Sequence, residues 1–108
     1  VEEVDARERG GLGMYALIGK LVTKAGQRDR LVAILSEAAR EMEATSDCES
    51  YRVHVSLDEA DTVFVYEVWR NEEAHAASLS LAEVRAYIDQ AKPILERMER
   101  IAALELRT

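Results

Sequence analysis

The run Thr62-Val63-Phe64-Val65-Tyr66-Glu67-Val68-Trp69-Arg70-Asn71-Glu72-Glu73-Ala74-His75 changes character halfway along. Its first half is dense in β-branched and aromatic residues, which suit a pleated surface. Its second half opens with Asn71 ahead of Glu72 and Glu73, the residue types that cap a helix and complement its dipole. A strand over 62–70 therefore leads directly into a short helix. Upstream, Glu49 to Ser56 is a second strand-like run, and the intervening Leu57-Asp58-Glu59-Ala60-Asp61 is short enough for a hairpin. If Ser56 pairs with Thr62, then Val53 and Val55 share a face with Val63, Val65, Glu67 and Trp69. Arg52 and His54 then share the opposite face with Phe64 and Tyr66. Both faces carry bulk. Helices cover only one, so the face with Phe64, Tyr66 and Val68 needs a partner, and a second copy of the chain is the simplest cover.

The rest of the chain extends this pattern. Met14 to Val22 is apolar and two-sided, with Tyr15, Leu17 and Leu21 on one face and Ala16, Ile18 and Val22 on the other, which predicts a first strand. After a turn over Thr23 to Gly26, the stretch from Gln27 to Ala44 places Leu31, Ile34, Leu35, Ala38 and Met42 at helical spacing. Ser80-Leu81-Ala82-Glu83 reads as a capping box for a later helix carrying Leu81, Val84, Tyr87, Ile88 and Ala91, which Pro93 ends or kinks. Leu104 and Leu106 alternate with charge, so Met98 to Arg107 is read as the last strand, although Glu96 to Glu99 also suits a helix. The order β-α-β-β-α-α-β predicts an α+β, ferredoxin-like domain: a four-stranded antiparallel sheet with helices on one face. Residues 1–13 lack a period and end in three glycines, so they read as a flexible leader to a domain over 14–108. Met14 reads equally as a natural start or as a core methionine.

Composition narrows the function. The 108 residues hold 14 Lys plus Arg against 21 Asp plus Glu, a formal charge of −7. One domain fits this length. An acidic balance works against nucleic acid, whose binding needs clustered cations, and against an anionic membrane surface. The longest charge-free stretches, Gly10 to Gly19 and Ala74 to Ala82, are far shorter than a membrane-spanning helix. Cys48 is the only cysteine, which excludes an internal disulfide and points to a reducing, cytoplasmic setting. His54 and His75 fall in different elements without metal-ligand spacing, so no metal is expected. The glycines at 10, 11 and 13 precede a strand and make no phosphate loop.

Alternation puts Glu67 and Trp69 on one face, and the following helix brings His75 back over that end of the sheet. A carboxyl, an aromatic wall and an imidazole then converge in a small-molecule pocket. The Glu67-Val68-Trp69 strand end, the Glu73-Ala74-His75-Ala76-Ala77-Ser78-Leu79 helix, Val84-Arg85, Ala91-Lys92-Pro93-Ile94 and the Lys24-Ala25-Gly26-Gln27 turn together resemble the antibiotic biosynthesis monooxygenase family. More narrowly they resemble its quinol monooxygenase-like branch. The resemblance implies a homodimeric α+β barrel of two face-to-face sheets, with Phe64, Tyr66, His54 and Arg52 at the interface. It also implies cofactor-free monooxygenation of a quinol, anthrone or related aromatic by dioxygen. In that reading His75, Glu67 and Trp69 are catalytic: His75 moves the proton, Glu67 orients it and Trp69 stacks on the substrate. Ser78, Val65 and Tyr51 are expected to line the substrate pocket. A small-molecule binding dimer without turnover, or an isomerase on the same fold, are the alternatives.

Overall fold

A computed structural model describes residues 13–45 and 47–107. The segment read as a leader lies, Gly13 apart, outside the described residues. The elements run β1 (Tyr15–Thr23), α1 (Arg28–Glu43), β2 (Cys48–Val55), β3 (Thr62–Trp69), α2 (Glu72–Ser78), α3 (Ala82–Ala91) and β4 (Leu95–Glu105), with a 3-10 turn over Lys92–Ile94 before β4. The strands form one antiparallel sheet in the order β2-β3-β1-β4. This is the ferredoxin-like α+β arrangement that the element order predicts.

The register assumed for the hairpin is the one observed. The Ser56 amide donates to the Thr62 carbonyl at 3.0 Å, and Val55 lies opposite Val63, Val53 opposite Val65 and Tyr51 opposite Glu67. Ser56 Oγ accepts from the amides of Asp58 and Glu59, and the Arg28 guanidinium donates to the carbonyls of Ser56 and Glu59. The loop is thus tied to the start of α1. At the preceding turn Gly26 takes φ 76°, a left-handed conformation that favours glycine, and its amide donates to Asp61 Oδ1.

Every helix packs on the same side of the sheet. Leu31 and Leu35 from α1 meet Leu21, Val63, Val65 and Ala91, while Met42 and Val84 meet Tyr15, Leu17, Cys48 and Trp69. The opposite face carries Ala16, Ile18, Phe64, Tyr66, Val68 and Leu104, and among the described residues no helix lies on it.

Two local readings change. Leu81, not Ser80, stands at the N-cap of α3, and no side chain caps it. Ser80 belongs to the exit of α2 instead, where its amide donates to the Ala77 carbonyl and that of Leu81 to Ser78, so the capping box does not form. The last strand also begins earlier than expected. Pro93 sits in the 3-10 turn that ends α3, and Leu95 already pairs with Thr23, so Glu96 to Glu99 is strand.

Candidate active site

β3 ends beside the start of α2, and three functional groups meet at this end of the sheet. Glu67 and Trp69 are two residues apart on one strand face, close enough for the Trp69 indole N–H to donate to Glu67 Oε1 at 2.9 Å. Trp69 is 2% exposed and lies in the core, so the bond fixes the carboxyl against a rigid wall. Asn71 then starts α2 by accepting from the Ala74 amide at 2.7 Å, with Glu72 and Glu73 in the first turn. That start sets the helix phase. Ala74, His75 and Ser78 turn inward while Ala76, Ala77 and Leu79 stay exposed.

His75 Nε2 comes to 3.8 Å from Glu67 Oε1, with side-chain exposures of 13% and 15%. This is longer than a hydrogen bond, and Oε1 already accepts from the indole. The imidazole sits between two aromatic rings, with centroids 5.7 Å from Tyr15 and 5.6 Å from Trp69, the latter edge-on. Burial pushes the Glu67 carboxyl above its ordinary range, opposed by the indole N–H. Burial and the Arg100 guanidinium push the His75 imidazole below its ordinary value, while Glu72 pulls the other way. Both directions favour the neutral forms. The carboxyl and the imidazole lie side by side at 3.8 Å, each shifted toward its neutral form first by burial.

The expected pocket residues divide. Tyr51 lies opposite Glu67 on β2, and its phenol is raised well above its ordinary value by burial, then by Glu67 and Cys48. Ser78 is buried and donates its hydroxyl to the His75 carbonyl at 2.6 Å, bracing the helix under the imidazole. Val65 belongs to the packed core with Leu21, Leu31 and Val63, one rung from Glu67. Cys48 lies opposite Trp69, and its thiol is pushed up to about 11, first by burial. Arg52, His54, Phe64 and Tyr66 are on the far face of the sheet, away from this cluster. Among the described residues no group of His, Cys, Asp and Glu is placed to hold a metal ion.

Two members of the site were not foreseen. Tyr15 packs on His75 because β1, not β2 alone, flanks β3 and sets Tyr15 opposite Trp69. Its presence on the Leu17 face was readable and the ferredoxin-like order sets β1 beside β3, but nothing in the sequence paired Tyr15 with His75. Arg100 comes from β4, outside every motif the sequence offers. A cleft of about 320 Å³ opens at the same end of the sheet, lined by Met14, Tyr15, Glu72, Ala103, Leu104 and Glu105 with Gly13. That volume is at the small end of the range for ligand pockets, about 300–1,000 Å³.

A ferredoxin-like sheet with a carboxyl, an indole and an imidazole gathered under its helices defines an α+β domain of the small-molecule-binding kind. Residues 14–90 match the profile of antibiotic biosynthesis monooxygenase. A solved structure from Chloroflexus aurantiacus J-10-fl, named for the same family, is 38% identical, with a TM-score of 0.74 over 89% of this chain and 93% of that one. The chain belongs to the antibiotic biosynthesis monooxygenase family. More distant structures bearing that family name share the fold. One from Deinococcus radiodurans is 23% identical with a TM-score of 0.77, covering 87% of this chain and 93% of that one. One from Nitrosomonas europaea is 14% identical with a TM-score of 0.80, covering 85% and 88%. No curated protein matches the chain.

Proposed function

We propose that this chain is a cofactor-independent monooxygenase that oxidises an electron-rich aromatic, an anthrone or a quinol, with dioxygen. The observation that carries the reading is the His75 imidazole held 3.8 Å from the half-buried Glu67 carboxyl and edge-on to Trp69. For an anthrone, His75 takes a proton from the ring methylene and the resulting anion passes one electron to dioxygen. The radical pair combines to a carbon-bound peroxide, which takes the proton back from His75. Loss of water then leaves the new ring carbonyl. One oxygen atom ends in the quinone and one in water, and all the electrons come from the substrate, so the balance needs no further reductant. The protein supplies a base in His75, a carboxyl beside it in Glu67 and an apolar wall that keeps the radical pair together.

The same reading includes a homodimer in the cytoplasm. Its support is the uncovered sheet face, where Tyr66 is 39% and Leu104 47% exposed beside Phe64 and Val68. Sheet-to-sheet packing of two such faces makes a closed barrel and removes that surface from water. The test of function is dioxygen uptake by purified protein with anthrone or a hydroquinone. Wild type accelerates uptake over buffer, and His75→Ala removes the acceleration by about a hundredfold or more. No acceleration with any such substrate would sink the oxygenase reading and leave a binding dimer.

A further inference from the structure

The helix side of the sheet is covered unevenly. β4 is an edge strand, and among the described residues no helix packs along it. It sets Met98, Arg100, Ala103 and Glu105 opposite Leu21, Gly19, Leu17 and Tyr15 of β1, a one-residue bulge at Ile101 resetting the alternation between Arg100 and Ala103. Tyr15, Leu17 and Leu21 are buried, whereas all four of these β4 residues are exposed. Where the first turn of α2 meets this bare row, the cleft of about 320 Å³ opens between Glu72 of the helix, Tyr15 of β1, and Ala103 and Glu105 of β4. Ala103 lines it with a methyl group alone.

Size, charge and position limit what the cleft can hold. An apolar cavity of about 150 Å³ takes one benzene ring, so about twice that volume has room for a second fused ring. The charged residues of the lining are Glu72 and Glu105, both acidic; Arg107 pairs with Glu105 Oε1 at 3.4 Å but does not join the lining. An anionic group placed there meets like charge, whereas an uncharged ring lies against Met14, Tyr15 and Leu104. Tyr15 is common to the cleft and the base: it lines the one, and its ring centroid is 5.7 Å from that of His75. His75 itself does not line the cleft, so the part of a ligand held there is not the part that gives up a proton.

Resting on the oxygenase site proposed above, we infer that the cleft is the subsite for the unreacting, uncharged ring of the substrate. Tyr15 is the wall that joins it to His75. Ala103 is the specificity-determining residue, because its small side chain leaves the second ring its room. The substrate class is thereby narrowed to fused-ring aromatics with no anionic group on the ring remote from the reacting carbon.

Dioxygen uptake with 1,4-naphthalenediol and with hydroquinone tests the subsite. The ratio of kcat/KM for the two-ring to the one-ring quinol is expected to fall about tenfold in Ala103→Phe and by less in Ala103→Val. Both variants place a strand-compatible side chain at an exposed edge position. The charge is tested with 5,8-dihydroxy-2-naphthoate, which carries its carboxylate on the remote ring. Wild type is expected to use it at least about tenfold less well than 1,4-naphthalenediol, and Glu72→Gln combined with Glu105→Gln to narrow that gap. A ratio unchanged in both Ala103 variants overturns the subsite, while uptake by wild type keeps the oxygenase reading. Equal use of the anionic and neutral diols by wild type overturns the exclusion of anions. If wild type accelerates uptake with neither quinol, the oxygenase reading falls, and a titration with 2-naphthol decides the cleft by itself. Shifts in the amide resonances of Tyr15, Glu72 and Ala103 that Ala103→Phe abolishes uphold a ring-binding site there; shifts that are absent or centred elsewhere end it.

Discussion

Replacing Glu67 by Gln separates the charge of this residue from its shape. The amide oxygen keeps an acceptor for the Trp69 indole at 2.9 Å, so the wall stays in place. What is lost is the titration. Burial raises the folded-state pKa of Glu67 above that of the unfolded chain, so between the two values the folded form holds a proton that the unfolded form has released. Stability from this group is then complete below the ordinary carboxylate range and declines as pH rises toward the folded value. His75 acts in the opposite sense. Its folded pKa is depressed, so the unfolded chain binds the extra proton and stability rises as pH climbs toward the ordinary histidine value. The two slopes oppose each other in wild type, and Glu67→Gln leaves His75 alone with its neighbours Glu72, Arg100 and Tyr15. The difference in unfolding free energy, Glu67→Gln minus wild type, should therefore grow with pH from the ordinary carboxylate range upward. Its slope reaches at most about 1.4 kcal/mol per pH unit. Urea unfolding across a pH series at one fixed protomer concentration measures it, since any association makes stability concentration-dependent. A difference that stays flat from pH 4 to neutrality would refute the claim that burial raises this carboxyl.

Other outcomes follow from the same geometry. Tyr66→Asp places a charge on the uncovered face and is expected to convert the proposed dimer to monomer by light scattering, with the far-UV spectrum retained; a wild-type monomer at micromolar concentration overturns the proposed dimer. Cys48 is 5% exposed with its thiol raised to about 11, so a thiol reagent at neutral pH should label it only as fast as the chain unfolds, and labelling at the rate of a free thiol counts against that burial.

How much of this could be read from residues alone depends on the range of the interaction. The hairpin register, the two faces of β3 and the cap at Asn71 all rest on neighbours within a few positions, and each is observed as read. The approach of His75 to Glu67 was also legible, because a strand end and the helix after it leave few ways to place a residue four positions past the cap. Tyr15 and Arg100 were not. Tyr15 needs the register that sets it opposite Trp69, which the ferredoxin-like order alone does not fix. Arg100 needs a one-residue bulge, and Glu99-Arg100-Ile101-Ala102 offers neither glycine nor proline to announce it. The Ser80 capping box failed for the converse reason. Its local pattern is sound, but the turn leaving α2 had already claimed the backbone around Ser80.

The helix that carries His75 has a further consequence in time rather than space. α2 is seven residues, too short to hold its shape unaided, and it is kept by the Asn71 cap, the Ser78 hydroxyl and its packing on β3. Elements of this kind open locally at a small fraction of the global unfolding free energy. The imidazole therefore rides on a short element held by local contacts, while its partners Glu67 and Trp69 are fixed in β3. On the proposed site, opening of α2 would carry the base away from the carboxyl, so the Asn71 cap also sets how often the two stand together.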